Sequence, residues 1–330
     1  MKTPLYREAI AHSWSLAKRH KFLWVYGLFA AILGQMGIVE YLGKVSVATE
    51  DLGGYLSSVK VLPGTTVAEA TTQITALDTR LLLIWLVLII IALVVGFLFI
   101  SVVSQGALIY ASAASVKNKR QLPDVGEAWH AGVTHFWRLF IINFFKKAIV
   151  IILAIIVSAS AFANLDDITL GNSLTFLLTF ILASIVGLVL SFLAIYAASY
   201  VVVEEYKLGP AIHSAWRMFT DHWLVSVEVG LMVLLFNGVL AILALLGIMV
   251  FFFPAVLVWF FAIITANAFL FTLGFIIAIV LFVAYAMLLA SVFTVFTTSI
   301  WTYLFMKMHK VGVKSRVLHW LTYKPLVGRG

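Results

Sequence analysis

Long runs of apolar residues alternate with short polar segments along most of the chain. A helix that crosses a bilayer needs about 20 mainly apolar residues. Four runs of about that length come first: Phe22–Val39, Leu81 to about Ala113, about Leu139 to Ala163, and Leu174–Val203. Between Glu228 and Lys307 the chain then carries no charged residue for 78 positions. The pattern predicts an all-α, polytopic membrane helix bundle.

The uncharged run is long enough for three spans, but the charges at the two ends of the chain favour two. The first 21 residues carry five bases and one acid, and the tail from Lys307 carries six bases and no acid. The positive-inside rule places both segments in the cytoplasm. Termini on the same side require an even number of spans, so we predict six.

The residues left over in the uncharged run, about Phe251 to Phe271, are rich in aromatic side chains and contain Pro254. Aromatic residues gather at the membrane–water interface, and proline interrupts a helix. We therefore expect an interfacial or re-entrant excursion on the outer side, which neither spans the bilayer fully nor reaches the cytoplasm.

The loop charges agree with this topology at three of four places. Residues 40–80 hold five acids and three bases and 164–173 hold two acids, so both are predicted to be external. Residues 114–138 hold four bases and two acids and are predicted to be internal; residues 204–222, with two bases against three acids, are the exception. The predicted location is the cell (plasma) membrane of a bacterium, with both termini cytoplasmic.

The composition excludes a water-soluble enzyme, since 63% of the residues are hydrophobic and only 11% are charged. The absence of cysteine excludes a disulfide framework, a thiolate nucleophile and a cysteine-ligated metal. None of the eight histidines has a metal-ligand spacing, so we predict no metal and no other cofactor. Basic ends on a helical membrane protein favour anionic lipid as the partner rather than nucleic acid.

Three segments on the predicted cytoplasmic side resemble one another without gaps. They are EAIAHSWSLAKR from Glu8, EAWHAGVTHFWR from Glu127, and PAIHSAWRMFTD from Pro210. Apolar residues recur at the i, i+4 and i+7 spacing of one helix face: Ile10, Trp14 and Ala17 in the first copy, and Ile212, Trp216 and Phe219 in the third. Each copy is predicted to be an amphipathic helix in the inner interface.

Each such helix, with the two spans after it, would form one unit. The units are about 4–113, 122–203 and 206–308, within a single integral membrane domain 1–330 that ends in a basic cytoplasmic tail, 309–330. All three begin on the same side, which predicts parallel repeats related by an axis along the membrane normal. The alternative is that any junction between a loop and a span looks amphipathic.

Two segments also carry a family resemblance. They are YREAIAHSWSLAKRHKFLWVYGLFAAILG near the start and VVVEEYKLGPAIHSAWRMFTDHWLVSV from Val201 to Val227. Both resemble the bacterial glycerophosphoryl diester phosphodiesterase membrane-domain family, over about 55 residues in motif and most of the chain in layout. The resemblance implies a six-span fold that occurs alone or joined to a catalytic domain. Only 24 residues follow the last predicted span, so we expect no catalytic domain and transfer no active-site residue.

Charged and polar residues inside predicted spans are the candidate intramembrane sites. Such groups are costly in a bilayer and point to function by default. They are Lys146, Lys147, Glu228, Asn143 and Asn237. The lysines either snorkel to the inner surface, pair with Glu228, or serve transport. The asparagines and Gln105 are predicted to form hydrogen bonds between helices, and Ala183, Gly187 and Ser191 to form a small-residue packing stripe.

Basic residues at the two ends of the chain are the candidate contacts to anionic lipid. They are Arg7, Lys18, Arg19, Lys21, Lys307, Lys310, Lys314 and Arg316. The leading hypothesis is a non-enzymatic membrane protein that is transporter-like or lipid-handling. The alternative is a structural protein that anchors or organises other membrane components, and an intramembrane enzyme comes third. A polar, water-accessible cavity reaching Glu228 would favour transport, whereas a solid apolar bundle would favour interaction.

Overall fold

The computed structural model describes residues 5–31, 60–62, 65–66, 76–117, 123–166, 169–265 and 268–311. The first predicted span beyond Ala31, most of the predicted outer loop 40–80 and the tail beyond Val311 lie outside the described residues. Lys314 and Arg316 therefore lie outside them, as does the side chain of Lys310.

The described residues form nine α-helices and a two-stranded antiparallel ribbon. The helices are α1 (Leu5–Arg19), α2 (Leu23–Ala30), α3 (Ala76–Lys117), α4 (Val125–Thr134), α5 (Phe136–Asp166), α6 (Leu170–Val203), α7 (Leu208–Asp221), α8 (Trp223–Ile264) and α9 (Ala268–Val311). The strands are β1 (Lys60–Leu62) and β2 (Thr65–Thr66), with Lys60 opposite Thr66 and Leu62 opposite Thr65.

Five helical stretches are long and apolar enough to cross a membrane, so this is a multi-pass membrane protein. They are Ile84–Lys117, Phe136–Phe162, Leu170–Val203, Trp223–Ile264 and Thr272–His309. They fall on the second to sixth spans that the sequence predicts. Of the first predicted span, Phe22–Val39, the described part is α2 with its flanking residues Phe22 and Ala31, so a six-span count stays a prediction.

The uncharged run forms two helices, as predicted, but the predicted interruption of a helix at Pro254 is wrong. The place of residues 251–271 on the outer side stays a prediction. α8 continues through Pro254 to Ile264, and α9 begins at Ala268. The aromatic residues there pair across the hairpin: the ring centroids of Phe252 and Phe282 are 6.0 Å apart, and those of Trp259 and Phe275 are also 6.0 Å apart. This packing stabilises a helix that the missing N–H of proline only locally weakens.

The buried core lies at one end of the long helices, the end that the charges predict to be cytoplasmic. All residues of 101–109 in α3, 196–202 in α6 and 294–306 in α9 are buried. The distal half of α3 is the opposite extreme, since every residue from Ile84 to Val95 is exposed. Such apolar faces are compatible with lipid, which is as apolar as leucine.

The short helices pack on the long helices in a cyclic order. α4 packs on α3, α7 packs on α6, and α1 packs on α9, the last long helix of the chain. α3, α6 and α9 also contact one another. These three helices therefore form the centre of the bundle, and the first helix of the chain closes the ring against the last.

Two glycines permit the closest helix crossings in the core. A Cβ atom on Gly27 of α2 would overlap the carbonyl oxygen of Ser291 in α9, and one on Gly132 of α4 would overlap the carbonyl oxygen of Val103 in α3. Ser291 also donates a hydrogen bond from Oγ to the carbonyl oxygen of Trp24. The backbones thus meet directly at both crossings, so only glycine fits there without displacement.

Small residues form the packed face of all three short helices. Ala9 and Ser13 in α1, Ala128 and Gly132 in α4, and Ala211 and Ala215 in α7 are buried at equivalent i, i+4 positions. The tryptophans at the next position point away from the core, with 54% of Trp14 and 51% of Trp216 exposed. Small residues let helix backbones approach closely, so this stripe seats each short helix on its long neighbour.

Candidate functional site

Helix α5 lies between two clefts, and its adjacent lysines line different ones. Lys146 lines a cleft formed mainly by α6, α8 and α9, which we call the α6–α8 cleft. Lys147 lines a cleft between α3 and α5 themselves, which we call the α3–α5 cleft. Lys146 also borders a smaller apolar cleft of about 240 Å³ among α5, α6 and α7. Consecutive residues of a helix point about 100° apart, so these two adjacent lysines of α5 line both clefts.

The α6–α8 cleft has a volume of about 430 Å³ and is mostly apolar. Its polar contributors are Lys146, Ser191, Asn237 and Thr297. Ser191 donates to the carbonyl oxygen of Gly187 at 2.9 Å, and Thr297 donates to that of Phe293 at 2.9 Å. These hydroxyl protons are thus used within their own helices, and Lys146 is the one charged residue among those that line the cleft.

The α3–α5 cleft is larger, at about 560 Å³, and is still more apolar. Leucine, isoleucine, valine and phenylalanine side chains of both helices line it, and Ser101, Asn143 and Lys147 supply its polar groups. Both volumes fall within the range of small-molecule sites. Exposed apolar side chains line part of both clefts: Leu93 and Phe97 in the α3–α5 cleft, and Leu231 and Leu234 in the α6–α8 cleft.

The two candidate asparagines make different hydrogen bonds. Asn143 donates from Nδ2 to Oε1 of Gln105 in α3 at 2.7 Å and to the carbonyl oxygen of Leu139 at 2.9 Å. The predicted interhelical bond is therefore confirmed for Asn143. Asn237 instead donates from Nδ2 to the carbonyl oxygen of Val233, in its own helix, at 3.1 Å. Its side chain lines the α6–α8 cleft.

The centre of the bundle is nearly filled. A gap of about 10 Å³ remains where Gln105, Ser199, Thr298 and Thr302 approach the axis among α3, α6 and α9. A cavity of that size holds one water molecule at most. At the level of these four residues, the three helices leave no space for a solute. The lateral clefts lie on either side of this filled centre.

Glu228 is half-buried near the start of α8, at the inner end of the bundle. Val227 and Leu231 beside it line the α6–α8 cleft, and Glu228 is not among the lining residues. The structure therefore does not show a polar cavity at Glu228 among the residues it describes. Pairing of Glu228 with Lys146 or Lys147 stays a prediction.

The basic residues of the N-terminal helix lie on its exposed side. Arg7, Lys18, Arg19 and Lys21 are all exposed. Burial and, to a lesser extent, the neighbouring Arg19 lower the pKa of His20, which disfavours its charged form. At the other end, Lys307 is half-buried, with Nζ 5.6 Å from the ring centroid of Tyr303. The α1 cluster thus presents cations on a surface that anionic lipid can reach.

The predicted packing stripe on α6 is wrong at its centre. A Cβ atom on Gly187 would meet no atom within 4 Å outside its own helix, so no neighbouring backbone approaches closely there. Ser191 lines the α6–α8 cleft instead of a helix contact. The stripe lies at the middle of α6, and its last residue borders the cleft.

Two hydrogen bonds join short helices to the long helices that precede them in the cyclic order. The sequence analysis did not predict these bonds. The Tyr110 hydroxyl of α3 donates to Oε1 of Glu127 in α4 at 3.1 Å, and the Tyr303 hydroxyl of α9 donates to Oε2 of Glu8 in α1 at 3.3 Å. Glu8 and Glu127 occupy the same position in the aligned segments, which was the available signal.

Comparisons with protein-family models, with curated proteins and with solved structures find no match. The similarity to the glycerophosphoryl diester phosphodiesterase membrane-domain family therefore stays a prediction that rests on the two segments quoted above.

Proposed function

We propose that this protein is a non-enzymatic, lipid-handling membrane protein that holds lipid in its lateral clefts. The observation that carries the proposal is the contrast between two open, mostly apolar clefts of about 430 and 560 Å³ and the nearly filled centre. A lipid can enter such clefts from the bilayer without leaving the hydrocarbon phase. A polar solute would have to cross the filled centre.

The proposed architecture has six spans in three parallel repeats, each with an interfacial helix before it. The cyclic packing of α1, α4 and α7 supports the repeats, because each contacts the second long helix of the preceding unit. The equivalent ties from Tyr110 to Glu127 and from Tyr303 to Glu8 support them further. A relationship to the glycerophosphoryl diester phosphodiesterase membrane-domain family is part of this proposal.

The proposed orientation in a bacterial plasma membrane has both termini in the cytoplasm. The exposed bases Arg7, Lys18, Arg19 and Lys21 would then face the anionic inner leaflet, where each contributes about 1 kcal/mol of attraction. The exposed rings of Trp14 and Trp216 lie on the short helices, where they would anchor these helices at the depth of the lipid headgroups. These charges would recruit anionic lipid to the inner end of the clefts.

The first experiment changes the four bases of α1 and its C-terminal flank, Arg7, Lys18, Arg19 and Lys21, to glutamine. We expect the purified protein to retain several-fold less anionic phospholipid, measured by lipid mass spectrometry after extraction. Loss of four surface cations removes about 1 kcal/mol each of attraction. A variant with Lys44, Lys60 and Arg80 of the predicted outer loop changed to glutamine is the matched control and should retain lipid normally.

An unchanged lipid content in the α1 variant, at both low and high salt, would contradict recruitment by these charges.

The long exposed hairpin of α8 and α9 favours a second function, that of a protein which organises other membrane components. At about 1.5 Å per residue, the 42 residues of α8 measure about 63 Å, twice the thickness of the hydrocarbon core. Unchanged lipid with a partner protein bound to this hairpin would favour that function.

A further inference from the structure

We propose that Lys146 and Lys147 each bind the phosphate of an anionic phospholipid from the inner leaflet, with the acyl chains in the α6–α8 and α3–α5 clefts respectively. This inference rests on the proposed lipid-handling function and adds two defined sites to it. Helix α5 would then hold two lipids at once, one on each flank.

The charge distribution in the clefts selects the ligand. Among the described residues that line them, Lys146 is the one charged group in the α6–α8 cleft and Lys147 the one charged group in the α3–α5 cleft. The remaining walls are mainly apolar side chains that match acyl chains. A cation at the edge of an apolar groove complements an anion-headed amphiphile, and an ammonium within a membrane is costly unless an anion or water accompanies it.

The position of the lysines along α5 suits the inner leaflet. Trp137, which is 70% exposed, lies nine residues before Lys146, or about 14 Å along the helix axis. Helical side chains lean toward the N-terminus of their helix, so each lysine stem carries its ammonium back toward the tryptophan level. Trp137 marks the headgroup region, so each ammonium draws the phosphate of a bound lipid from that level toward the cleft.

The asparagines fit a supporting role. Asn143 lines the α3–α5 cleft, but its amide group already donates to Gln105 and Leu139, which fixes the α5 backbone one turn before Lys147. Asn237 lines the α6–α8 cleft together with Lys146 and carries no charge. The lysines therefore determine the preference for anionic headgroups, and the apolar walls determine that the ligand is a lipid.

The experiment uses the absence of native cysteine to place one bimane fluorophore in each cleft of the full-length protein. Ser191→Cys reports on the α6–α8 cleft and Ala148→Cys on the α3–α5 cleft. Brominated phosphatidylglycerol and brominated phosphatidylcholine quench the fluorophore on contact. Their relative quenching in vesicles of mixed composition gives the preference of each site for the anionic lipid.

We expect Lys146→Gln to reduce the anionic preference about fivefold at the fluorophore in the α6–α8 cleft and to leave the fluorophore in the α3–α5 cleft unchanged, since one lysine attracts anionic lipid by about that factor. Lys147→Gln should do the reverse, and Lys146→Arg and Lys147→Arg should restore the preference. The two single variants thus serve as controls for each other, because a folding defect would affect both sites.

Three results would overturn the proposal. Equal quenching by both lipids in the wild-type background would show that the lysines only snorkel into the general headgroup region. If neither glutamine variant changes the anionic preference, groups other than these lysines cause it. No quenching by either lipid would show that the clefts do not contain lipid, which contradicts the proposed function as well, whereas the first two results leave that function intact.

Discussion

At the scale of single residues, the distance to a neighbouring backbone decides where the core requires glycine. Gly27 and Gly132 sit where the backbone of a neighbouring helix makes direct contact, whereas Gly187 borders open space. All three lie inside mainly apolar segments and look alike in the sequence. A sequence pattern shows that a residue is small, and only the neighbouring backbone decides whether it must be small.

The contrast between Gly132 and Gly187 gives a prediction about stability. Gly132→Ala should lower the stability of the protein by about 1–3 kcal/mol, because the new methyl group meets the carbonyl of Val103. Gly187→Ala should be neutral or stabilising by up to about 1 kcal/mol, because alanine favours a helix and nothing obstructs it. Thermal denaturation in detergent, followed by size-exclusion chromatography, measures both. A Gly187→Ala variant less stable than Gly132→Ala would contradict the described crossings.

At the scale of helices, the sequence predicts which segments form helices better than it predicts which helices contact one another. The apolar runs placed the five long helices, and Asn143 was correctly predicted to bond across helices. The stripe that packs each short helix on the core was missed, because lipid and protein interior are equally apolar and hydrophobicity does not separate them. The continuation of α8 through Pro254 was missed as well, since aromatic residues suit both an interface and a helix pair.

The two stripes of α7 differ in what they contact, which gives a prediction about packing. Ala211 is fully buried against α6, whereas 47% of Ile212 is exposed. Ala211→Leu should destabilise the protein by about 1–3 kcal/mol through overpacking. Ile212→Phe, which also adds side-chain volume but on the exposed side, should cost less than about 0.5 kcal/mol. The midpoint of thermal unfolding is the readout, and equal effects of the two changes would place the wrong face of α7 against α6.

At the scale of the whole molecule, the packed inner end and the open clefts are properties of assembly that the sequence alone could not show. Charge placed the ends of the chain, and segment similarity suggested three units. The closure of α1 on α9 joins residues almost 300 positions apart, as in the bond from Tyr303 to Glu8. Likewise, the clefts depend on how the long helices diverge. Lys146 and Lys147 are adjacent in the sequence, and their surroundings differ only in the assembled structure.

The proposed function requires that the clefts contain lipid rather than water. Spin labels on Ser191→Cys and Ala148→Cys, in separate reconstituted proteins, report collisions with oxygen, which dissolves in lipid, and with a nickel chelate, which stays in water. Ile89, exposed on the distal half of α3, and Lys117, exposed at the inner end of the same helix, supply the lipid and water references. We predict that both cleft labels match the Ile89 reference, with high oxygen and low nickel accessibility. Nickel accessibility equal to that at Lys117 would contradict the proposed lipid-filled clefts and favour a water-filled pathway.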